Sequence, residues 1–304
     1  IDASVAQAGV PRDLALARVL TLRAYINLPA ANLMKIRADC PTLLQIAIPR
    51  GLKTIAAWTH YFWASACYLQ NDLHSAAEHF GAVLELVDHA HALAYTHSAI
   101  GLALTYQSQG LPQEARGVVE GAMRALALRL QTYALAPLSA FAADLAARQG
   151  RVDEALRWVV REGRHFEQDA TPMFYVPGLA FVRILLAGGS GENLRAAETW
   201  LEQQTNRALQ LHNTYAQIQC HVLAAVLNDT QGKRPEAIVA LGRALAQAEQ
   251  GQIVRVFVDL AHELAPVFDA LAADQPLADF AARVHRALLI ESQPPTNFQP
   301  SLPF

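Results

Sequence analysis

The sequence predicts an all-α fold: a right-handed superhelix of stacked antiparallel helix hairpins with a period of about 40 residues. Three observations point there. The chain has 304 residues, long for one compact core, whereas repeat arrays grow by adding units to a stack. Hydrophobic residues make up 53% of it and charged residues only 17%, against the ~25% usual for globular chains, so most helical surface must lie against other helices. One local pattern, Gly or Asn followed five residues later by Ala, returns at Asn71/Ala76, Gly110/Ala115, Gly150/Ala155, Gly191/Ala196 and Gly232/Ala237. The interval between successive anchors stays nearly constant across all five copies, which chance would not maintain.

Each position in that pattern has a physical role. Gly or Asn takes the left-handed conformation that ends the first helix of a hairpin. Pro112 and Pro235 suit the first turn of the second helix, where a missing N–H costs nothing. Glu114, Glu154 and Glu236 lie in that turn, at the positive end of the helix dipole. The Ala lets the two helices approach closely. The large residue near four positions on (Phe80, Val119, Val159, Trp200 or Leu241) shares its face. Each hairpin then presents an apolar face that only the next one can cover.

The clear repeats span about 54–250. Before them, Leu14–Tyr25 and Ala30–Arg37 read as a weaker hairpin around a turn at Asn27–Pro29, with an insertion near Pro41–Gly51. After them, Ile253–Leu271 and Leu277–Leu289 read as closing helices, so the repeat domain is expected over 1–291. The Pro-rich stretch 292–304 reads as a linker. The chain begins at Ile1 instead of Met, and is expected to be part of something longer.

Net charge is -3, and basic residues such as Arg116, Arg124 and Arg129 stand alone. The electrostatic footprint of a nucleic-acid or anionic-membrane binder is missing. No run reaches the ~18 apolar residues of a membrane span; the best, Pro177–Gly188, is broken by Arg183. Cys40, Cys67 and Cys220 are widely spaced in apolar helical context, which reads as buried free thiols in a reducing cytoplasm.

A turn of this kind followed by Ala and a large residue is the tetratricopeptide pattern, with copies longer than the usual ~34 residues. The most specific stretches lie in the last third: Ala196–Leu201 (AAETWL), Ile218–Ala225 (IQCHVLAA), Glu236–Glu249 (EAIVALGRALAQAE), Gly251–Asp259 (GQIVRVFVD) and Leu264–Phe268 (LAPVF). Over about 50–290 the chain resembles the helical-repeat sensor domain of MalT-type transcription activators, the large ATP-binding regulators of the LuxR family. The resemblance implies a nucleotide-binding module before the array, and a DNA-binding domain after the 292–304 linker. Neither is in this chain. It has no G-x-x-x-x-G-K-[ST] motif, and Gly188-Gly189-Ser190-Gly191 lacks the Lys, so ATP and DNA enter only through absent flanking domains.

No residue constellation calls for an enzyme, and no cofactor is expected. Asp88, His89, His91 and His97 are the densest set of potential ligands, but His89 and His91 are next-but-one neighbours that a helix would point apart. Ser98, Ser139 and Ser190 lack a nucleophile elbow. Two features do suggest a ligand groove. Asp144 lies mid-helix in an apolar run, on the face expected to line the concave side. Tyr95, Tyr133, Tyr175 and Tyr215 recur once per repeat, near the starts of successive first helices. Trp58 and Tyr61 hold a comparable place one repeat earlier; His97, Phe174, Phe181 and Gln219 lie nearby in the register. These eleven residues are either packing between repeats or the lining of an aromatic-rimmed groove. The functional expectation is an effector-sensing array that binds an inducer, small molecule or protein, on its concave face. The alternative is a protein–protein scaffold without a small-molecule effector. Self-association is open.

Overall fold

The computed structural model describes residues 12–162, 173–274 and 278–291. The expected linker at 292–304 lies outside the described residues. The described elements are helical, with no strand among them. In chain order they are α1 (Arg12–Asn27), α2 (Leu33–Ala47), α3 (Lys53–Leu69), α4 (Leu73–Glu85), α5 (Ala92–Ser108), α6 (Pro112–Leu128), a 3-10 turn (Thr132–Ala134), α7 (Leu135–Arg148) and α8 (Val152–Glu162). There follow α9 (Pro177–Gly188), α10 (Gly191–Gln210), α11 (Thr214–Thr230), α12 (Arg234–Glu249), α13 (Arg255–Val258), α14 (Ala261–Asp274) and α15 (Asp279–Glu291).

Sequence composition sorts the helices into two layers. The first helix of each hairpin packs on its predecessor and successor of the same kind: α1 on α3, α3 on α5, α5 on α7, α7 on α9 and α9 on α11. Apart from α1, these inner helices are buried over most of their surface. In α5, 13 of 17 residues are buried. The second helices have one apolar stripe. In α6 only Ala115, Val119, Ala122 and Leu126 are buried, at the spacing that keeps one helical face. Each large residue in such a stripe contributes roughly 1.5–3 kcal/mol. A layer that is buried all round can exist only if other helices cover both of its sides, so the stack is obligatory.

The turns obey a stricter rule than the Gly/Asn pattern alone. Left-handed residues occur at Ala31, Gly51 and Asn71; at Gly110, Leu130 and Gly150; and at Gly189, His212, Gly232 and Gln252. Most close with a Schellman bond from the following N–H to the carbonyl five residues back, as in Asp72 to Cys67, Leu111 to Tyr106 and Lys233 to Asn228. Within each group a left-handed residue returns at about half a period, once between the two helices of a hairpin and once between hairpins, with the Gly189–His212 step lengthened by the 20-residue α10.

Two expectations are corrected by this. The first hairpin is in phase: Ala31 and Asn71 are one full period apart with Gly51 midway, and α2 runs unbroken through Pro41, so there is no insertion before Gly51. Gly191 is the first residue of α10 and not a turn anchor. Gly189 is left-handed, and the Ser190 side chain caps the helix by accepting the Asn193 N–H. The buried small residue there is accordingly Ala197, not Ala196, with Leu201 one turn on; in α8 the large buried residue is Trp158, not Val159. Likewise, the expected closing helix Ile253–Leu271 is broken into α13 and α14 around Asp259–Leu260.

The array closes on itself. The Tyr215 N–H at the start of α11 donates to the Pro29 carbonyl in the first turn, at 3.0 Å. The Val254 N–H donates to Leu69 O at 2.8 Å, and the Gln70 amide donates to Gly251 O at 3.0 Å. One hydrophobic core consequently runs from Ala24 and Leu28 through Tyr61, Phe80, Phe141 and Phe174 to Val254, Phe257 and Phe268. No helix among the described residues is long and apolar enough to cross a membrane.

Candidate functional site in the closed centre of the array

The segment that leads into α9 fills the middle of the superhelix. Pro177 opens that helix and, by clashing with a helical predecessor, holds Val176 extended. Phe174 and Tyr175 are thereby threaded between the inner helices. The Phe174 N–H donates to the Tyr61 hydroxyl at 2.9 Å, and its carbonyl accepts the Tyr215 hydroxyl at 3.0 Å. The Tyr175 N–H donates to His97 Nδ1 at 3.3 Å. His97 must therefore be neutral, and burial pushes its imidazole down to about 3. The rings pack edge-on: Phe174 against Tyr68 and Tyr175 against Phe141, with centroids 5.5 and 5.3 Å apart.

Two groups of charges lie beside this plug. Asp144 on α7 is 1% exposed. Its Oδ2 accepts Arg183 Nε from α9 at 3.0 Å and the Tyr175 hydroxyl at 3.2 Å. Its Oδ1 lies 3.4 Å from Arg148 Nε. Burial drives the carboxyl upward, but the Arg183 and Arg148 guanidiniums outweigh it and leave Asp144 below the ordinary carboxylate range. The second group surrounds Arg255, 2% exposed on α13. It donates to Asp259 and Glu291 at 2.6 Å, to Ser108 Oγ at 2.6 Å and to Asn71 Oδ1 at 3.0 Å. The Tyr68 hydroxyl meets Asp259 at 2.9 Å. One arginine thus ties the closing segment to α5, α15 and the turn between α3 and α4.

Two spaces remain. A small one of about 40 Å³ is lined by Phe174, Tyr175, Tyr215, Gln219 and Arg148 among others. A larger one of about 410 Å³ lies between the last turns of α5, α7 and α9 on one side and α13, α14 and Glu291 on the other. The tyrosine period points to the starts of the inner helices; the room is at their ends. Both walls of the larger space are polar, formed by Asp144, Arg148 and Arg183 opposite Arg255, Asp259 and Glu291.

The eleven residues singled out in the sequence divide into four groups. Asp144, Phe174, Tyr175, Tyr215 and Gln219 line one of these spaces. Tyr61 and His97 hold the plug. Trp58 packs on Tyr25, Tyr61, Phe62 and His91; Phe181 stacks on Trp200 at 5.0 Å; and Tyr95 is buried in the core, so these three serve inter-helix packing. Tyr133 is 61% exposed on the 3-10 turn, outside the buried cluster, because the helix it was expected to start begins two residues later.

Sequence reasoning missed Arg148, Arg183, Arg255, Asp259 and Glu291. A usable signal existed for two of them. Arg183 and Arg255 are lone charges in otherwise apolar runs, a place where burial is expensive unless a partner is supplied. Of the histidine-rich stretch, Asp88 pairs with Arg129 at the surface, His91 caps α5, and His97 goes to the core. Among the described residues no three His, Cys, Asp or Glu side chains are grouped so as to hold a metal. Cys40, Cys67 and Cys220 are free and buried.

No curated protein matches the chain. The family defined by the MalT-like TPR region matches residues 14–274, which takes in α2 to α14 and nearly all of α1. With inner and outer layers of stacked hairpins over that whole span, the chain belongs to the MalT-like TPR region family.

Proposed function

We infer that this array is the effector-sensing domain of a MalT-type, LuxR-family transcription regulator, and that an inducer binds on its inner side. One observation carries the reading. The cavity of about 410 Å³ is bounded by the repeats on one side and by the closing helices on the other. That volume is within the ~300–1,000 Å³ usual for small-molecule sites. An occupant touching both walls binds the closed array more tightly than an opened one, and only such a difference in affinity can shift a conformational balance. Opening or closing would then be passed to the nucleotide-binding and DNA-binding modules expected in the parent regulator.

A thermal-shift screen of this chain against sugars, aromatics and common metabolites tests the reading. A ligand at about a hundredfold excess over its Kd stabilises by ~2.7 kcal/mol, a shift of several degrees. A screen in which no compound moves the midpoint, even at millimolar concentration, removes the small-molecule reading and leaves a protein partner. The alternative has its own support. The Phe174–Tyr175 segment lies in the centre much as a bound peptide would, held through its main chain by Tyr61, His97 and Tyr215.

A further inference from the structure

The charges around the larger cavity do not balance wall by wall. On the repeat side two arginines, Arg148 and Arg183, share the single carboxylate of Asp144. On the closing side a single arginine, Arg255, is shared by two carboxylates, Asp259 and Glu291. The repeat wall therefore has one more arginine than carboxylates, and the closing wall, which Glu263 and His262 also line, has more carboxylates than arginines, with Asp259 close enough to act on Arg148. Arg183 and Arg255 are already committed, Arg183 in a hydrogen bond to Asp144 and Arg255 in hydrogen bonds with four residues. Arg148 is different. Its side chain is 19% exposed, its Nε makes no hydrogen bond despite being buried, and it lines both spaces.

We propose that the cavity binds a small zwitterion of the amino-acid type, its carboxylate on Arg148 and its ammonium group at Asp259 and Glu291. The proposal rests on the sensing reading above and names its ligand class. A bare anion fits less well. The cavity is lined by the last turns of α5, α7 and α9, whose carbonyl ends carry partial negative charge and oppose an anion that brings no cation with it. A bare cation leaves Arg148 sharing Asp144 with Arg183 and its buried Nε without a hydrogen-bond acceptor, a costly state for a desolvated donor. A guanidinium and a carboxylate form a two-point, charge-assisted contact that fixes orientation. The apolar strip of Ala147, Ala187, Val258, Leu260 and Ala261 along the same cavity accommodates a side chain between the two ends.

The test uses the 304-residue chain. The protein amino acids are added one at a time at millimolar concentration, thermal midpoints are read, and hits are followed by calorimetry. At least one amino acid should raise the midpoint. Its N-acetyl and its carboxamide derivatives, each lacking one charge, should both bind at least tenfold more weakly. Arg148→Met keeps the side-chain volume and removes the guanidinium. It should weaken the same amino acid at least tenfold, with Arg148→Lys recovering part of the loss. Should Arg148→Met fail to fold, the two derivatives decide alone. A panel in which no amino acid binds overturns the proposal, as does a hit whose N-acetyl derivative binds equally well. A neutral sugar that binds the wild type and Arg148→Met alike also overturns it, and leaves the sensing reading standing.

Discussion

The phenolic oxygen of Tyr61 accepts the backbone N–H of Phe174 at 2.9 Å, joining two distant parts of the chain across the centre of the array. Both groups are buried, so neither has water to fall back on. Tyr61→Phe deletes the acceptor and leaves an orphan amide, at a cost of about 1–3 kcal/mol. Hydrogen exchange should show the Phe174 amide losing at least about tenfold in protection, while amides in the outer helix α6 keep theirs. Equal exchange in the two proteins would mean that the plug is held by packing alone.

Gly251 is the point where the end of the array touches its beginning. A Cβ there would run into the backbone carbonyl of Ala31, which cannot swing aside as a side chain can. Gly251→Ala should cost roughly 1–3 kcal/mol as overpacking and should expose the Tyr215 and Val254 amides to exchange. Gly242 is the control. Nothing lies within 4 Å of a Cβ at that position, so Gly242→Ala should be neutral or stabilise by up to ~1 kcal/mol.

Arg255 donates to four residues: Asn71 in the turn between α3 and α4, Ser108 on α5, Glu291 on α15, and Asp259 just past the end of its own helix. Arg255→Ala leaves Asp259 and Glu291 without their cation and should cost about 3–5 kcal/mol in a denaturant titration. Arg255→Lys keeps the charge but cannot reproduce the planar fork, and should recover only part of that loss. A variant within ~1 kcal/mol of wild type would show that the closing segment does not depend on this residue.

Acid should loosen the centre first. The unfolded chain takes up a proton on His97 near pH 6.5, whereas the folded chain resists protonation until about pH 3, because the ring is buried. The unfolded state thus binds more protons in that window. Stability is complete above pH 6.5 and falls on acidification, by up to ~1.4 kcal/mol per pH unit. His60, pushed down to about 4 by burial, adds a loss of the same sign. His97→Gln keeps an acceptor and cannot gain a charge, so urea midpoints measured from pH 7 to 4 should fall less steeply in the variant.

Some positions were legible because their cause is local. Asn71, Gly110, Gly150 and Gly232 were placed correctly, since Gly and Asn reach left-handed φ at little cost. The hairpin turn at Ala31 and the turns between hairpins at Leu130, His212 and Gln252 were not, although they obey the same geometry. A side chain there costs about 1–2 kcal/mol, and only the packing of finished helices repays it. Of the recurring tyrosines, Tyr215 and Tyr175 lie at the small central space, whereas Tyr133 is exposed on a 3-10 turn because its helix starts late.

The sequence by itself determined the hairpin, its period and the apolar face that the next hairpin must cover. These follow from side-chain patterning and turn chemistry within a single repeat. Only the tertiary structure decided that the array closes, that its own Phe174 and Tyr175 occupy the centre, and that arginines and carboxylates from both ends of the chain line one cavity. Those facts join residues such as Tyr68 with Asp259 and Asn71 with Arg255, which stand at opposite ends of the repeat array. Their meeting depends on the accumulated rotation of every hairpin between them, a sum that no local pattern carries.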